Sequence, residues 1–163
     1  MKKLLIIWHS QTGGSQALAQ AAAEGAATFE LTETESLPAD AAQPAHMLES
    51  DAYLFVFPEN LAAISGVMKA FFDRCYYPCL GKIEGRPYAI MVCAGSDGSN
   101  AARQAERIVT GWRLRKIADT FIVCTNAQTE AAILGPKKIS QADLQQVHDT
   151  GARMAAGVAL GIF

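Results

Sequence analysis

The chain lacks the marks of a charged or membrane partner. Its 14 lysines and arginines nearly balance 16 aspartates and glutamates, giving a formal charge of −2 at neutral pH. No field of that size gathers nucleic acid or an anionic bilayer. No apolar run approaches the length of a membrane span. The run Leu4 to Trp8 after Lys2-Lys3 is too short for a secretory signal and ends at polar His9 and Ser10. These absences point to a cytoplasmic protein that neither inserts in a membrane nor binds nucleic acid. Cys75, Cys79, Cys93 and Cys124 form no C-x-x-C pair and have no histidine cluster nearby, so no metal motif is present. They read as free structural thiols in a reducing compartment, with Cys93 and Cys124 inside apolar runs. Several phosphate chemistries are missing as well. There is no G-x-x-x-x-G-K-[ST] loop and no G-x-G-x-x-G fingerprint. No Cys-x5-Arg segment offers a nucleophile beside an anion site.

What is present is a globular composition. Half of the 163 residues are hydrophobic, which suits one domain over residues 1–163 with one sizeable core. Strand-like and helix-like segments alternate along it. Lys3 to Trp8, Tyr53 to Phe57, Pro87 to Cys93 and Thr120 to Cys124 are apolar runs of the kind buried on both faces of a parallel sheet. Thr28 to Thr32 reads as a further short strand, and polar Glu33 to Gln43, with Pro38, as a loop. Helical signals cover Ser15 to Ala26, Ala45 to Ser50, Ser65 to Cys75, Ser99 to Trp112 and Ser140 to about Ala159. Five strands alternating with helices predict a doubly wound α/β fold. Ligands of such folds lie beyond the carboxyl ends of the strands, where the strand order reverses. The loops after strands one, three and four are therefore the candidate site.

The first loop is Ser10-Gln11-Thr12-Gly13-Gly14-Ser15. A glycine turn opening a helix presents backbone N–H groups to one point, and the helix dipole adds partial positive charge. With three hydroxyls and no lysine, arginine or nucleophile, it is a cup that anchors a phosphate monoester without cleaving it. The second loop follows Phe57-Pro58 and includes Glu59, Asn60 and Leu61. It leads into Ile64-Ser65-Gly66-Val67-Met68-Lys69-Ala70-Phe71-Phe72-Asp73. The third is Gly95-Ser96-Asp97-Gly98, where Asp97 reads equally as a ligand acceptor or as an acid at the N-terminus of a helix capped by Ser99.

These motifs resemble the flavodoxin-like NAD(P)H-dependent FMN and quinone reductases. Ser10 to Ser15 is similar to the flavodoxin phosphate loop, Ser-x-Thr-Gly-x-Ser/Thr. Ile64 to Asp73 is similar to the helix start that follows the Pro-ended third strand in those reductases. The resemblance in element order covers essentially the whole chain. It implies a three-layer sandwich with a five-stranded parallel sheet of order 2-1-3-4-5 and helices on both faces. It implies FMN as cofactor, with its phosphate at Ser10 to Ser15. The ring would lie along Pro58, Glu59, Asn60 and Leu61, with its pyrimidine side near Gly95, Ser96, Asp97 and Gly98. Relatives often carry an aromatic residue two positions after the Pro; Asn60 stands there instead. Leu61, Tyr76, Tyr77 and Trp112 are the side chains available to cover the ring, and a second subunit of a homo-oligomer could complete that cover.

Three readings follow. The favoured one is an oxidoreductase passing electrons from NAD(P)H to a small acceptor such as a quinone or free flavin, with no catalytic side chain because the chemistry resides on the flavin. The second is a flavodoxin-type electron carrier, for which a net charge of −2 is low. The third is a member of the fold without flavin. His9, beside the first loop, could assist an anion but reads as incidental, and the basic stretch Arg103, Arg107, Arg113, Arg115 and Lys116 reads as an exposed helix face that could also meet the phosphates of NAD(P)H. Thr125 to Ile139 has no assigned element and could reach the rim of the site.

Overall fold

Three strands buried on both faces organise the molecule. They are β1 (Lys2–Trp8), β3 (Ala52–Asn60) and β5 (Pro87–Ala94) in a computed structural model that describes residues 1–163. Side chains on a strand alternate between faces, and that alternation divides the core. Leu5, Ile7, Tyr53, Phe55 and Phe57 enter one cluster, with Phe71, Phe72 and Trp112. Leu4, Ile6, Leu54 and Val56 enter the other, with Leu18, Ala22, Val147 and Met154.

β1 lies between β2 (Thr32–Pro38) and β3, and β3 pairs with β5, all in parallel. β4 (Ala63–Ile64) folds back antiparallel on Glu59 and Asn60. Beyond β5 stand two short strands end to end, β6 (Arg115–Lys116) and β7 (Phe121–Cys124). The sheet thus has seven strands, with the path β2-β1-β3-β5-β6 and with β4 and β7 attached to β3 and β5. This corrects the expected count of five strands; the parallel strands expected as one to five, now β1, β2, β3, β5 and β7, stand in the order 2-1-3-4-5. The outermost position is shared by two pieces because the chain bulges there. Between the pairs Tyr88↔Lys116 and Met91↔Phe121, β5 advances three residues and its neighbour five.

The second strand also lies later than expected. Thr28 to Leu31 only close the preceding helix, and Glu33 to Pro38, expected as loop, form most of β2. An edge strand has one paired neighbour, and Glu33 and Ser36 stay exposed there. Glu35 meets Lys3 of β1 at 2.6 Å. β3 likewise runs past its expected stop at Pro58. The amide of His9 donates to the carbonyl of Val56, so position 58, two residues on, faces the side where β1 has ended. A missing N–H breaks no ladder bond there.

α1 (Gly14–Ala27) and α6 (Gln141–Ala159) cover one face of the sheet. α2 (Pro44–Glu49), α3 (Gly66–Cys79) and α4 (Ser99–Gly111) cover the other. α1 and α6 cross in backbone contact. A Cβ on Gly25 would strike the carbonyl of His148, and one on Gly151 the carbonyl of Ala22. α5 (Glu130–Leu134) buries none of its residues. Cys75, Cys79 and Cys93 are buried, whereas Cys124 is exposed at the end of β7. No helix is long and apolar enough to cross a membrane.

Candidate functional site

An open cleft of about 600 Å³ lies at the carboxyl ends of β1, β3, β5 and β7. Ser10, Gln11, Thr12, Gly14 and Ser15 form one wall, and Pro58, Glu59, Asn60 and Leu61 another. Cys93, Ala94 and Gly95 supply the floor, and Thr125, Ala127, Ile133, Leu134 and Lys137 the remaining side. The three loops read from the sequence therefore converge.

The first wall is a set of donors. Ser10 Oγ accepts from the amide of Gly13 at 3.0 Å and so folds the turn. Gly13, at φ 96°, occupies the left-handed region that only glycine enters freely and stands as the N-cap of α1 with no side-chain cap. The first amides of α1 are thus left without an intrahelical or capping partner. Ser15 is 1% exposed, yet its hydroxyl has no hydrogen-bond partner. Buried polar groups are nearly always paired; Ser15 Oγ is one of four buried side-chain atoms without a hydrogen-bond partner, with Thr34 Oγ1, Glu35 Oε2 and Glu59 Oε2.

The opposite wall supplies an acceptor of its own. One carboxylate oxygen of Glu59, Oε2, is buried and unpaired. Glu59 and Asn60 pair with Ile64 and Ala63, leaving Leu61 and Ala62 as a two-residue hairpin turn. Both turn residues have positive φ, 51° and 60°, the signature of a turn that prefers Asn-Gly. Leu61 is fully exposed at its tip. α4 holds the hairpin: Asn100 donates to the Ala62 carbonyl at 2.6 Å, and Gln104 accepts from the Ile64 amide at 3.0 Å.

The floor is chemically quiet. Burial pushes the Cys93 thiol up to about 11, with the positive charge of Lys137 partly opposing it. It is a neutral thiol at physiological pH and no nucleophile. His9 lies off the cleft, with Nδ1 2.9 Å from Ser65 Oγ. Burial lowers its pKa, against the opposing pull of Asp40, so it adds no charge to the first loop.

Four of the residues singled out in the sequence do not line the cleft. Gly13 acts through the turn it makes. Asp97 accepts from the Ser99 amide and hydroxyl at 3.3 and 2.8 Å, so its carboxylate is turned onto the first residue of α4, ahead of the N-cap Gly98. Gly98 packs against Ile122, Ala94 and Val92, and Ser96 sits beside it. The aromatic residues lie elsewhere too. Trp112 is fully buried on the α3–α4 side, its indole N–H donating to the Tyr76 carbonyl at 2.9 Å, and Tyr76 stacks on it. Tyr77 faces solvent. The basic stretch is divided: Arg113 pairs with Glu84 and Lys116 with Glu106.

The side unplaced from sequence is the segment after β7. Asn126 donates to the Gly95 carbonyl at 2.7 Å and Lys137 to that of Thr12 at 2.9 Å, fastening it across two of the loops. A signal for α5 was present. Thr129 Oγ1 accepts from the Ala132 amide as an N-cap, and Gly135-Pro136 stops the helix.

The same architecture recurs in solved structures. A flavodoxin from the domain Archaea superposes with a TM-score of 0.76 at 14% identity, covering 96% of this chain and 98% of that one. A WrbA-like flavodoxin from Agrobacterium tumefaciens gives 0.70 at 18% identity, covering 98% and 99%. The flavodiiron protein from Giardia intestinalis gives 0.78 at 16% identity, covering 99% of this chain but only 37% of that protein. At these identities the likeness is one of fold. In sequence, a flavodoxin from Aquifex aeolicus is 34% identical over 86 residues, 53% of this chain and 46% of that protein, so the match spans about half of each. The model of a family described as NADPH-dependent FMN reductase matches residues 3–128. That span takes in all three loops read from the sequence and, but for Lys2, every strand of the sheet, and the chain belongs to the NADPH-dependent FMN reductase family.

Proposed function

We propose that the protein is an FMN-dependent oxidoreductase that takes electrons from NAD(P)H and passes them to a small acceptor such as a quinone or free flavin. The observation that carries this reading is the unpartnered, buried Ser15 hydroxyl inside the uncapped start of α1. Neutral donors around a helix N-terminus suit the phosphate of FMN, and the cleft falls in the size range of cofactor sites.

In this reading Ser10, Gln11, Thr12, Gly13, Gly14 and Ser15 hold the phosphate. Pro58, Asn60 and Leu61 flank the ring, and the unpaired carboxylate oxygen of Glu59 is the acceptor available for its imide N–H. Gly95 approaches the ring from the floor, while Ser96, Asp97 and Gly98 set the course of that loop. When bound, FMN supplies two-electron redox chemistry. The chain itself anchors, orients and partly dries the site. The Cys93 thiol is neutral and His9 lies off the cleft, so neither acts as an acid or base there, and none is needed for hydride transfer. The four unpaired cysteines fit a cytoplasmic setting.

The test is an FMN titration of apo-protein by flavin fluorescence quenching, followed by NADH and NADPH oxidation with a benzoquinone acceptor. Saturable 1:1 binding with steady turnover is the expected result. Tight binding without turnover by either nucleotide would favour the electron carrier. Absence of binding would overturn the assignment.

A further inference from the structure

The donor wall built by Ser10, Thr12 and Ser15 contains no cation, although a phosphate monoester carries nearly two negative charges near neutral pH. One cation lies beside it, from a segment outside the residues matched by the family model. Lys137 lines the same cleft. Its amide donates to the Thr12 carbonyl, and its Cβ lies 3.3 Å from where a Cβ on Gly14 would stand. Its ammonium donates to the carbonyls of Ile133 and Gly135, both at 2.7 Å. A lysine ammonium has three donors. The third has no protein partner, and no carboxylate pairs with the charge. Independently, Ser15 offers a buried hydroxyl with no partner on the same wall.

We propose, resting on the FMN reading, that Lys137 supplies the missing cation: its ammonium pairs with the cofactor's phosphate and in the same position fastens α5 beside the cleft. α5 buries none of its residues; Thr129 caps its start, the Lys137 ammonium its end, and the Lys137 amide ties that end to Thr12. The lysine links the phosphate to that helix. The chain then distinguishes a phosphorylated flavin from an unphosphorylated one by a charge as well as by neutral donors.

The test compares dissociation constants of FMN and riboflavin, by fluorescence quenching, for wild-type apo-protein and for Lys137→Met, Lys137→Gln and Lys137→Arg. Glutamine keeps donors without charge and serves if the methionine variant does not fold. The expected result is an FMN affinity about tenfold weaker in the uncharged variants, riboflavin unchanged, and most of the FMN affinity restored by arginine. Equal losses for FMN and riboflavin would overturn the proposal, because the lysine would then act only by holding α5. No loss for either would overturn it while leaving the FMN reading intact. A wild-type protein that binds no FMN would overturn both.

Discussion

Replacing Ser15 with alanine should move stability and binding in opposite directions. In the apo-protein the hydroxyl is buried and unpaired, a condition that costs about 1–3 kcal/mol. Alanine removes that cost, loses one oxygen's worth of packing and is a better helix former. A net gain of about 1 kcal/mol follows, raising the apo Tm by about 2–4 °C for a chain of this size. With FMN the hydroxyl becomes a donor to a charged phosphate, an interaction worth about 1.5–3 kcal/mol, so the variant should bind about ten- to hundredfold more weakly. Since ligand stabilisation grows with the logarithm of ligand over Kd, a loss near the middle of that range exceeds the apo gain. The order of the two melting temperatures then reverses when FMN is added in large excess. Differential scanning calorimetry with and without FMN reads both signs in one experiment. An apo variant less stable than wild type would mean that the hydroxyl already has a partner. An unchanged FMN dissociation constant would mean that no phosphate meets it.

The remaining predictions separate structural from binding roles. Asp97→Ala removes the two bonds to Ser99 that shape the entry to α4, so it should cost on the order of 0.5–1 kcal/mol in urea unfolding while leaving FMN affinity unchanged; a loss of affinity would make Asp97 a ligand after all. Gly151→Leu would push α6 off the Ala22 carbonyl and should cost about 3 kcal/mol by chemical denaturation, and a neutral outcome would contradict the close helix crossing. Leu61→Asn combined with Ala62→Gly relieves two left-handed residues, so the apo-protein should gain about 1 kcal/mol by the same assay. The carboxyl of Glu106 is held below its usual range by the Lys116 ammonium and the Thr120 hydroxyl, against opposing burial. Its contribution is present above the unfolded glutamate value of about 4.3 and is lost as pH falls through the lower folded value. Urea midpoints should therefore fall more steeply between about pH 5 and pH 3 in wild type than in Glu106→Gln, by on the order of a few tenths of a kcal/mol for so exposed a pair.

The parts of the fold legible in the sequence are those whose burial leaves a one-dimensional trace. β1, β3 and β5 are covered on both faces, so Leu4 to Ile7, Tyr53 to Phe57 and Tyr88 to Cys93 read as unbroken apolar runs. β2 left no such trace, because Glu33 and Ser36 on a sheet edge stay exposed and Glu35 pairs with Lys3. The β3–β4 hairpin was hidden because Leu61-Ala62 is not the Asn-Gly its backbone prefers. In the cleft, the glycine turn at the start of α1 announced a donor cup from local spacing alone. Lys137 could not be found that way. Its proximity to Thr12 is a product of the chain returning across the sheet, and no pattern around residue 137 encodes it. Asp97 allowed two readings in the sequence, and only hydrogen-bond partners could divide them.

The crossing of α1 and α6 constrains how the chain can be made. α1 emerges from the ribosome early, and the surface that seals its apolar face comes more than a hundred residues later, from Gln141–Ala159. At about 5–20 residues per second, Leu18, Ala22 and the even-numbered side of β1 wait for seconds beside a growing sheet with one face bare. Packing of the odd-numbered face against α2, α3 and α4 needs only residues already made. A nascent chain should therefore acquire its two layers in sequence, the second closing only after residue 159 leaves the exit tunnel. Until then the small residues of α1, which fit α6 so closely, offer little for any other apolar surface to hold.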